Sequence, residues 1–278
     1  MQIKQPIYLD YNATTPLDEE VIAAMEPYFR NLFGNPSSNH WFGVQARKAV
    51  EKARSQVAIL LNCDPEEIIF TSGGTESNNL ALKGIALALK SKGNHIITSA
   101  IEHPAIMEVC DHLSKQGFRI TYLPVDDTGL ISCTDLEQKI TPETILISIM
   151  HANNEVGTIQ PIAEISKIAH KHGIVLHTDA AQSAGKISVD VNKLGVDLLS
   201  LAGHKLYAPK GIGALFIKSG TRLAKIMHGA DHEHNLRAGT ENTMEIAGLG
   251  KACEVAQRDL GINQNRLLSM RDRLHKKI

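Results

Sequence analysis

The sequence predicts an α/β fold: a mostly parallel seven-stranded sheet flanked by helices. Three observations point there. Seven short, β-branched runs recur along the 278 residues. Stretches with helical spacing separate most of them. The runs are apolar throughout instead of alternating, as strands covered on both faces are. Strands alternating with helices imply right-handed crossovers and parallel pairing. A closed barrel suits the same alternation, and only the placement of the polar residues below favours an open sheet.

Taken in order, the expected strands are Ile68–Thr71, His95–Thr98, Arg119–Leu123, Ile145–Ile149, Ile174–His177, Leu198–Ser200 and Ala214–Ile217. Helical spacing runs over Asp18–Arg30, Trp41–Leu61, Thr75–Ser91, Ala105–Gln116 and Ile162–His172. Two more helices, Glu241–Arg258 and Asn265–Lys277, are expected after the last strand. The second of these sets Leu267, Leu268, Met270 and Leu274 among basic residues, an apolar stripe that needs a partner.

Composition narrows the function classes. A formal net charge of -1 gives no electrostatic reason to expect nucleic acid or an acidic membrane. Apolar runs such as Thr144–Met150 are too short to cross a bilayer, and Met1–Pro6 lacks the apolar stretch of a signal peptide. A cytoplasmic protein is expected. Cys63, Cys110, Cys133 and Cys253 are scattered, with no CxxC pair, which argues against a zinc site or a disulfide framework.

The polar residues that punctuate the strands carry the chemistry. Thr71-Ser-Gly-Gly-Thr-Glu-Ser-Asn78 joins a strand to a helix, where free N–H groups and the helix dipole suit a phosphate. A plain N-cap explains the same residues. Asp179 ends an apolar strand, at the crevice where open α/β sheets bind ligands. There it can hold a proton on a pyridine nitrogen, the feature that makes pyridoxal 5'-phosphate an electron sink, or it can cap the next helix. Lys205 follows an apolar strand and a small Ala202-Gly203 pair, so a partly desolvated amine able to form a Schiff base is the alternative to a solvated charge. His103 precedes a Pro-initiated helix and can lie on a ring and move a proton, or simply cap. Asn154 supplies an amide after the fourth strand. Each is ambiguous alone, yet Gly74-Thr75, His103, Asn154, Asp179 and Lys205 all fall at C-terminal strand ends.

With these residues in place, Tyr8–Pro16, Gly34–His40, Thr71–Asn79, Glu102-His103, His151–Gly157, His177–Gln182, Gly203-His-Lys205 and Arg237–Asn242 resemble the cysteine desulfurase family. That family lies in the class V branch of fold-type-I pyridoxal-phosphate enzymes. The resemblance implies conversion of L-cysteine to L-alanine, with the sulfur leaving as an enzyme persulfide for a sulfur-acceptor protein. It implies Lys205 as the Schiff-base lysine, His103 over the ring, Asp179 on the ring nitrogen, and Asn154 and Gln182 on the ring oxygen side. Gly74, Thr75 and His204 would hold the phosphate, with Thr240 reaching it from the partner subunit of a homodimer. Asn12 and Thr14 would border the substrate. Residues 1–14 would then be an N-terminal segment of the small domain at the active-site border, 15–258 the cofactor-binding large domain, and 259–278 the start of a C-terminal small domain.

The sequence also departs from the pattern. Ala202 stands where the family usually has a serine that bonds the phosphate, Gly229-Ala-Asp231 replaces a Gly-Gly-Gly run, and His234 replaces an arginine. The histidines of His228–His234 allow a metal site as a reading, with a polar loop at a dimer interface preferred and no metal assigned. The family's mobile-loop cysteine and carboxylate-clamping arginine have no counterpart, since Cys253 sits in a helical pattern. A selenocysteine lyase or related β-eliminating enzyme, and a non-catalytic cofactor-binding scaffold, are the alternatives.

Overall fold

The computed structural model describes residues 6–277. Met1–Gln5, within both the expected 1–14 segment and the stretch inspected for a signal peptide, lie outside the described residues, as does Ile278. The helices are α1 (Glu19–Arg30), α2 (Trp41–Leu61), α3 (Gly74–Ala88), α4 (Pro104–Lys115), α5 (Cys133–Lys139), α6 (Ile162–Lys171), α7 (Val191–Leu194), the short turn α8 (His232–Leu236) and α9 (Thr243–His275). The strands are β1 (Ile68–Thr71), β2 (His95–Ser99), β3 (Arg119–Leu123), β4 (Thr144–Ser148), β5 (Val175–Asp179), β6 (Leu198–Ala202) and β7 (Gly213–Ile217).

They form one open sheet in the order β1-β7-β6-β5-β4-β2-β3. Only β7 runs against its neighbours, pairing antiparallel with both β1 and β6. The other six strands therefore end at the same edge, which is what positions the site. Successive strand residues split between two cores, as a period of two requires. Ile97, Ile147 and Leu199 pack on the side of α1, α2, α6 and the start of α9. Ile96, Leu146 and Leu198 pack on the side of α3 and α4. β3 is an edge strand and half exposed, which explains why its sequence mixes polar and apolar residues.

Every expected strand is present, within two residues at either end. The helices after β7 differ from expectation. Glu241–Arg258 and Asn265–Lys277 are one continuous helix, α9, of 33 residues. The stretch Gly261-Ile-Asn-Gln-Asn265 reads as a break, but without a proline a single exposed glycine costs a helix only about 1 kcal/mol. The first half of α9 crosses α2 so closely that a Cβ on Gly250 would lie 2.5 Å from the Ala53 Cα. Its second half exposes Ile262, Leu267, Met270 and Leu274, so no described residue covers the apolar stripe. The short elements α5, α7 and α8 escape the sequence because fewer than two turns show no periodicity.

The free edge of β1 is closed by an ion pair. Arg54 on α2 donates to both Glu233 carboxylate oxygens at 2.9 and 2.8 Å, and to the Ile68 carbonyl at 2.6 Å. Glu233 also accepts from the Phe70 N–H at 2.7 Å. Two edge groups of β1 that face no strand are thus satisfied inside the protein. The geometry costs backbone strain, since Glu233, His234 and Asn235 all have positive φ (46°, 54° and 62°). Replacing either Arg54 or Glu233 with alanine leaves the other charge buried and should cost about 3–5 kcal/mol. Urea unfolding reads this, and a loss below about 1 kcal/mol, the value of an exposed pair, would contradict the buried bridge.

Candidate active site

At the C-terminal edge of the sheet, the strand ends enclose a cavity of about 290 Å³. Its walls include Gly74, Thr75, His103, Asn154, Asp179, Gln182, His204 and Lys205. β1 passes into α3 through Gly73, whose φ of 143° only glycine adopts readily. No side chain caps α3, so its first-turn N–H groups remain available. Glu76, in that first turn, is drawn away from them: it accepts from Ser72 N and pairs with Arg237 at 2.9 Å. Behind Gly74 lies Ala202, whose Cβ would be 3.1 Å from a Cβ added there.

His103 ends the turn after β2 and caps α4, its Nδ1 accepting from Ala105 N at 3.1 Å. The capping and cavity readings of this histidine are therefore compatible. With Nδ1 an acceptor, the neutral ring carries its proton on Nε2. After β4, Asn153 and Asn154 separate in role. Asn153 pins its own loop, donating to the Ile101 carbonyl and accepting from Glu155 N and Val156 N, while Asn154 lines the cavity.

Asp179 is the last residue of β5 and is buried. Burial pushes its carboxyl up, opposed by bonds from Ala181 N (2.9 Å) and Asn78 Nδ2 (2.7 Å) and by the charge of Lys205. Lys205 leaves β6 through a tight 3-10 turn, Gly203–Lys205. Burial lowers its ammonium from the ordinary lysine range, against the pull of Asp10, Asp179 and Glu155. Its Nζ donates to the Asn12 carbonyl. His204 is lowered as well, by burial and then by the charges of Lys205 and Lys210.

The N-terminal segment straps this edge. Asn12 donates to the Asn154 carbonyl at 3.2 Å and accepts from Gln182 Nε2 at 3.0 Å. Thr14 Oγ1 lies 3.1 Å from His204 Nδ1. Asn12 lines an adjoining cavity, whereas Thr14 and Thr240 line neither, and Thr240 is exposed. Asp231 and His234 face a separate, larger hollow of about 630 Å³, built between Arg47, Arg54, Glu51 and Glu66. Among the described residues no group of three side chains could hold a metal, in that hollow or elsewhere.

Three residues escaped the sequence reading. Asn78 lies one helical turn beyond Gly74, a spacing that places both on one face and could have identified it. Lys186 lies four residues beyond Gln182 in the turns after β5, fixes that amide by donating to Oε1 at 2.8 Å, and is pushed down to about 8 by burial. Glu102 stands in the Glu102-His103 pair that carries the resemblance, but nothing local assigns it a role. None of the four cysteines lines the cavity; burial pushes Cys63, Cys110 and Cys253 up to about 12.

The donor set fits pyridoxal phosphate. It joins an uncapped helix start for the phosphate, a buried carboxylate for a cationic ring nitrogen and a lysine for the aldehyde. Asn78 Oδ1, at the cavity wall, is buried without a partner among the described residues, as expected where a ligand completes the site.

Known proteins agree. The family model for class-V aminotransferases matches residues 7–278. The chain is 54% identical to the cysteine desulfurase IscS of Dictyoglomus turgidum, over 97% of this chain and 68% of that protein. A solved NifS-like protein superposes with a TM-score of 0.95 at 40% identity, covering 98% of this chain and 75% of that one. A structure of SspA in complex with cysteine superposes at 0.87 with 45% identity, covering 90% and 72%. The chain belongs to the class-V aminotransferase family, in its cysteine desulfurase branch.

Proposed function

We propose that this chain provides the cofactor-binding half of a pyridoxal-phosphate-dependent cysteine desulfurase, with L-cysteine as substrate and L-alanine as product. The observation that carries the reading is the meeting of Lys205, Asp179 and the uncapped start of α3 in one cavity. Bound there, pyridoxal phosphate supplies an aldehyde for the substrate amine and a protonated ring that takes up charge when the α-carbon loses a proton.

The chain's own groups have separate tasks. Lys205, lowered by burial, keeps a larger share of free amine than a solvated lysine and can attack an aldehyde or move a proton. Asp179 holds the proton on the ring nitrogen, with Asn78 and Ala181 favouring its charged form. His103 presents Nε2 to the cavity because Ala105 occupies Nδ1. Gln182 reaches the ring oxygen side with its amide fixed by Lys186 and Asn12. Gly74, Thr75 and His204 take the phosphate, and Thr240 of a second copy completes it in a homodimer.

The C–S bond of cysteine breaks as a thiolate takes the sulfur to give a persulfide. None of the four thiols here lines the cavity. A selenocysteine lyase, which would use the same cavity and the same lysine, is the second reading. The complex of SspA with cysteine supports cysteine as the substrate. Delivery to a sulfur-acceptor protein for iron–sulfur cluster assembly, in the cytoplasm, belongs to the same proposal. Among the described residues no helix is long and apolar enough to cross a membrane.

Adding pyridoxal phosphate to the protein should produce a visible absorbance band that borohydride fixes to Lys205. Lys205→Ala should lose both the band and the fixation, and a wild-type protein with no band would overturn the reading. Product analysis with cysteine, selenocysteine and an added thiol separates the two substrates. Ala202→Ser restores a hydroxyl beside Gly74, a bond to a charged group worth about 1.5–3 kcal/mol. Equilibrium dialysis should find cofactor binding tighter by roughly ten-fold or more; unchanged or weaker binding would place the phosphate elsewhere.

A further inference from the structure

Glu102 is the one strongly perturbed carboxyl near the site that the mechanism leaves unused. It is buried where the turns after β2 and β4 meet. Its Oε1 accepts from Ser99 Oγ at 2.6 Å and from Met150 N at 2.9 Å. Its Oε2 is buried with no partner among the described residues. Asn153 ties the same two turns by donating to the Ile101 carbonyl. His103 follows Glu102 directly, and Met150 lines the cavity. Of the titratable groups packed near it, Asp179 from β5 opposes its charge, and Glu102 in turn raises the Cys110 thiol of α4.

We propose that Glu102 is a positioning residue held as a neutral carboxylic acid, its proton on Oε2, which leaves Asp179 to carry the negative charge of the site. An unpartnered hydroxyl in a dry interior costs far less than an unpartnered carboxylate oxygen. A negative Asp179 adds to the cost of ionising Glu102. Asp179 has Asn78, Ala181 and the nearby charge of Lys205, whereas the Ser99 hydroxyl and Met150 N–H that bond Glu102 are neutral and both meet one oxygen. As a neutral acid it keeps both of those bonds through its carbonyl oxygen, and so keeps the His103 turn pinned to the end of β4. Burial is the main reason that its carboxyl is pushed up to about 8, with Ser99 and Met150 pulling it down and Asp179 adding to the rise. The consequence for the ring nitrogen rests on the function proposed above; the location of the proton does not.

The test follows glutamate carboxyls labelled with carbon-13, by NMR, in the cofactor-free chain. One should remain protonated at neutral pH and ionise near pH 8, and Glu102→Gln should remove that signal. The folded pKa lies above the unfolded value of 4.5, so Glu102 lends stability that is lost as pH rises from there to about 8. The thermal midpoint of the wild type should therefore fall relative to Glu102→Gln over that window and level off above it. Glu102→Gln should bind pyridoxal phosphate within about three-fold of wild type, and Glu102→Leu, which loses both bonds, more than about ten-fold more weakly. Every glutamate already ionised at pH 7 would overturn the proposal, and the wild-type titration decides this even if neither variant folds. Weak binding by a well-folded Glu102→Gln would overturn it too. If no protein binds the cofactor, the proposed function fails while the titration still locates the proton.

Discussion

For the proposed function Asp179 has to stay charged in a place that disfavours charge, and much of the site is arranged around that conflict. Burial raises the carboxyl, while the Asn78 amide and the Ala181 N–H, each within 2.9 Å, favour the ionised form. Lys205 adds positive charge from the end of the neighbouring strand β6. These contacts exist because six strands share one direction and β7 alone is reversed. A sheet with any of the central strands turned round would send its polar residue to the opposite edge. The carboxylate would then be buried without its partners, a far costlier arrangement.

Rigidity at that edge comes from ties across sequence-distant loops. The Asn12 carbonyl takes hydrogen bonds from Lys205 and Gln182 together, and Thr14 meets His204. Glu102 and Asn153 join the turns after β2 and β4. At the other side of the sheet, the Arg54–Glu233 bridge closes β1 and holds a left-handed turn in place. Polar groups that would be liabilities in a dry interior thus fix loops against the sheet. The reactive groups are presented by strand ends and short turns, which is the more precise way to build a site.

The strands and the cavity-lining residues were legible in the sequence because their patterns are local. Apolar runs ending in Asp179, or in Ala202-Gly203 ahead of Lys205, mark both a strand and the direction in which its last residue leaves. What was not legible depends on distance. Glu102 reads as a loop acid, and only the approach of Met150, 48 residues away, shows that it is enclosed. Asn78 was within reach through helical spacing, but its meaning needs Asp179, 101 residues on. The single helix Thr243–His275 was misread as two because Gly261 and its polar neighbours look like a turn, yet nothing presses on that glycine to force one. Thr240, read as a phosphate contact from a partner subunit, lies exposed outside the cavity of its own chain.

The most direct test of the account is the protonation state of the ring nitrogen. Pyridoxal phosphate labelled with nitrogen-15 at that position, bound to the protein and observed by NMR across the neutral to alkaline range, reports it without any turnover. The nitrogen should be protonated in the wild type at pH values where the free cofactor has lost that proton, and deprotonated in Asp179→Asn. A nitrogen that titrates alike in both proteins would contradict it.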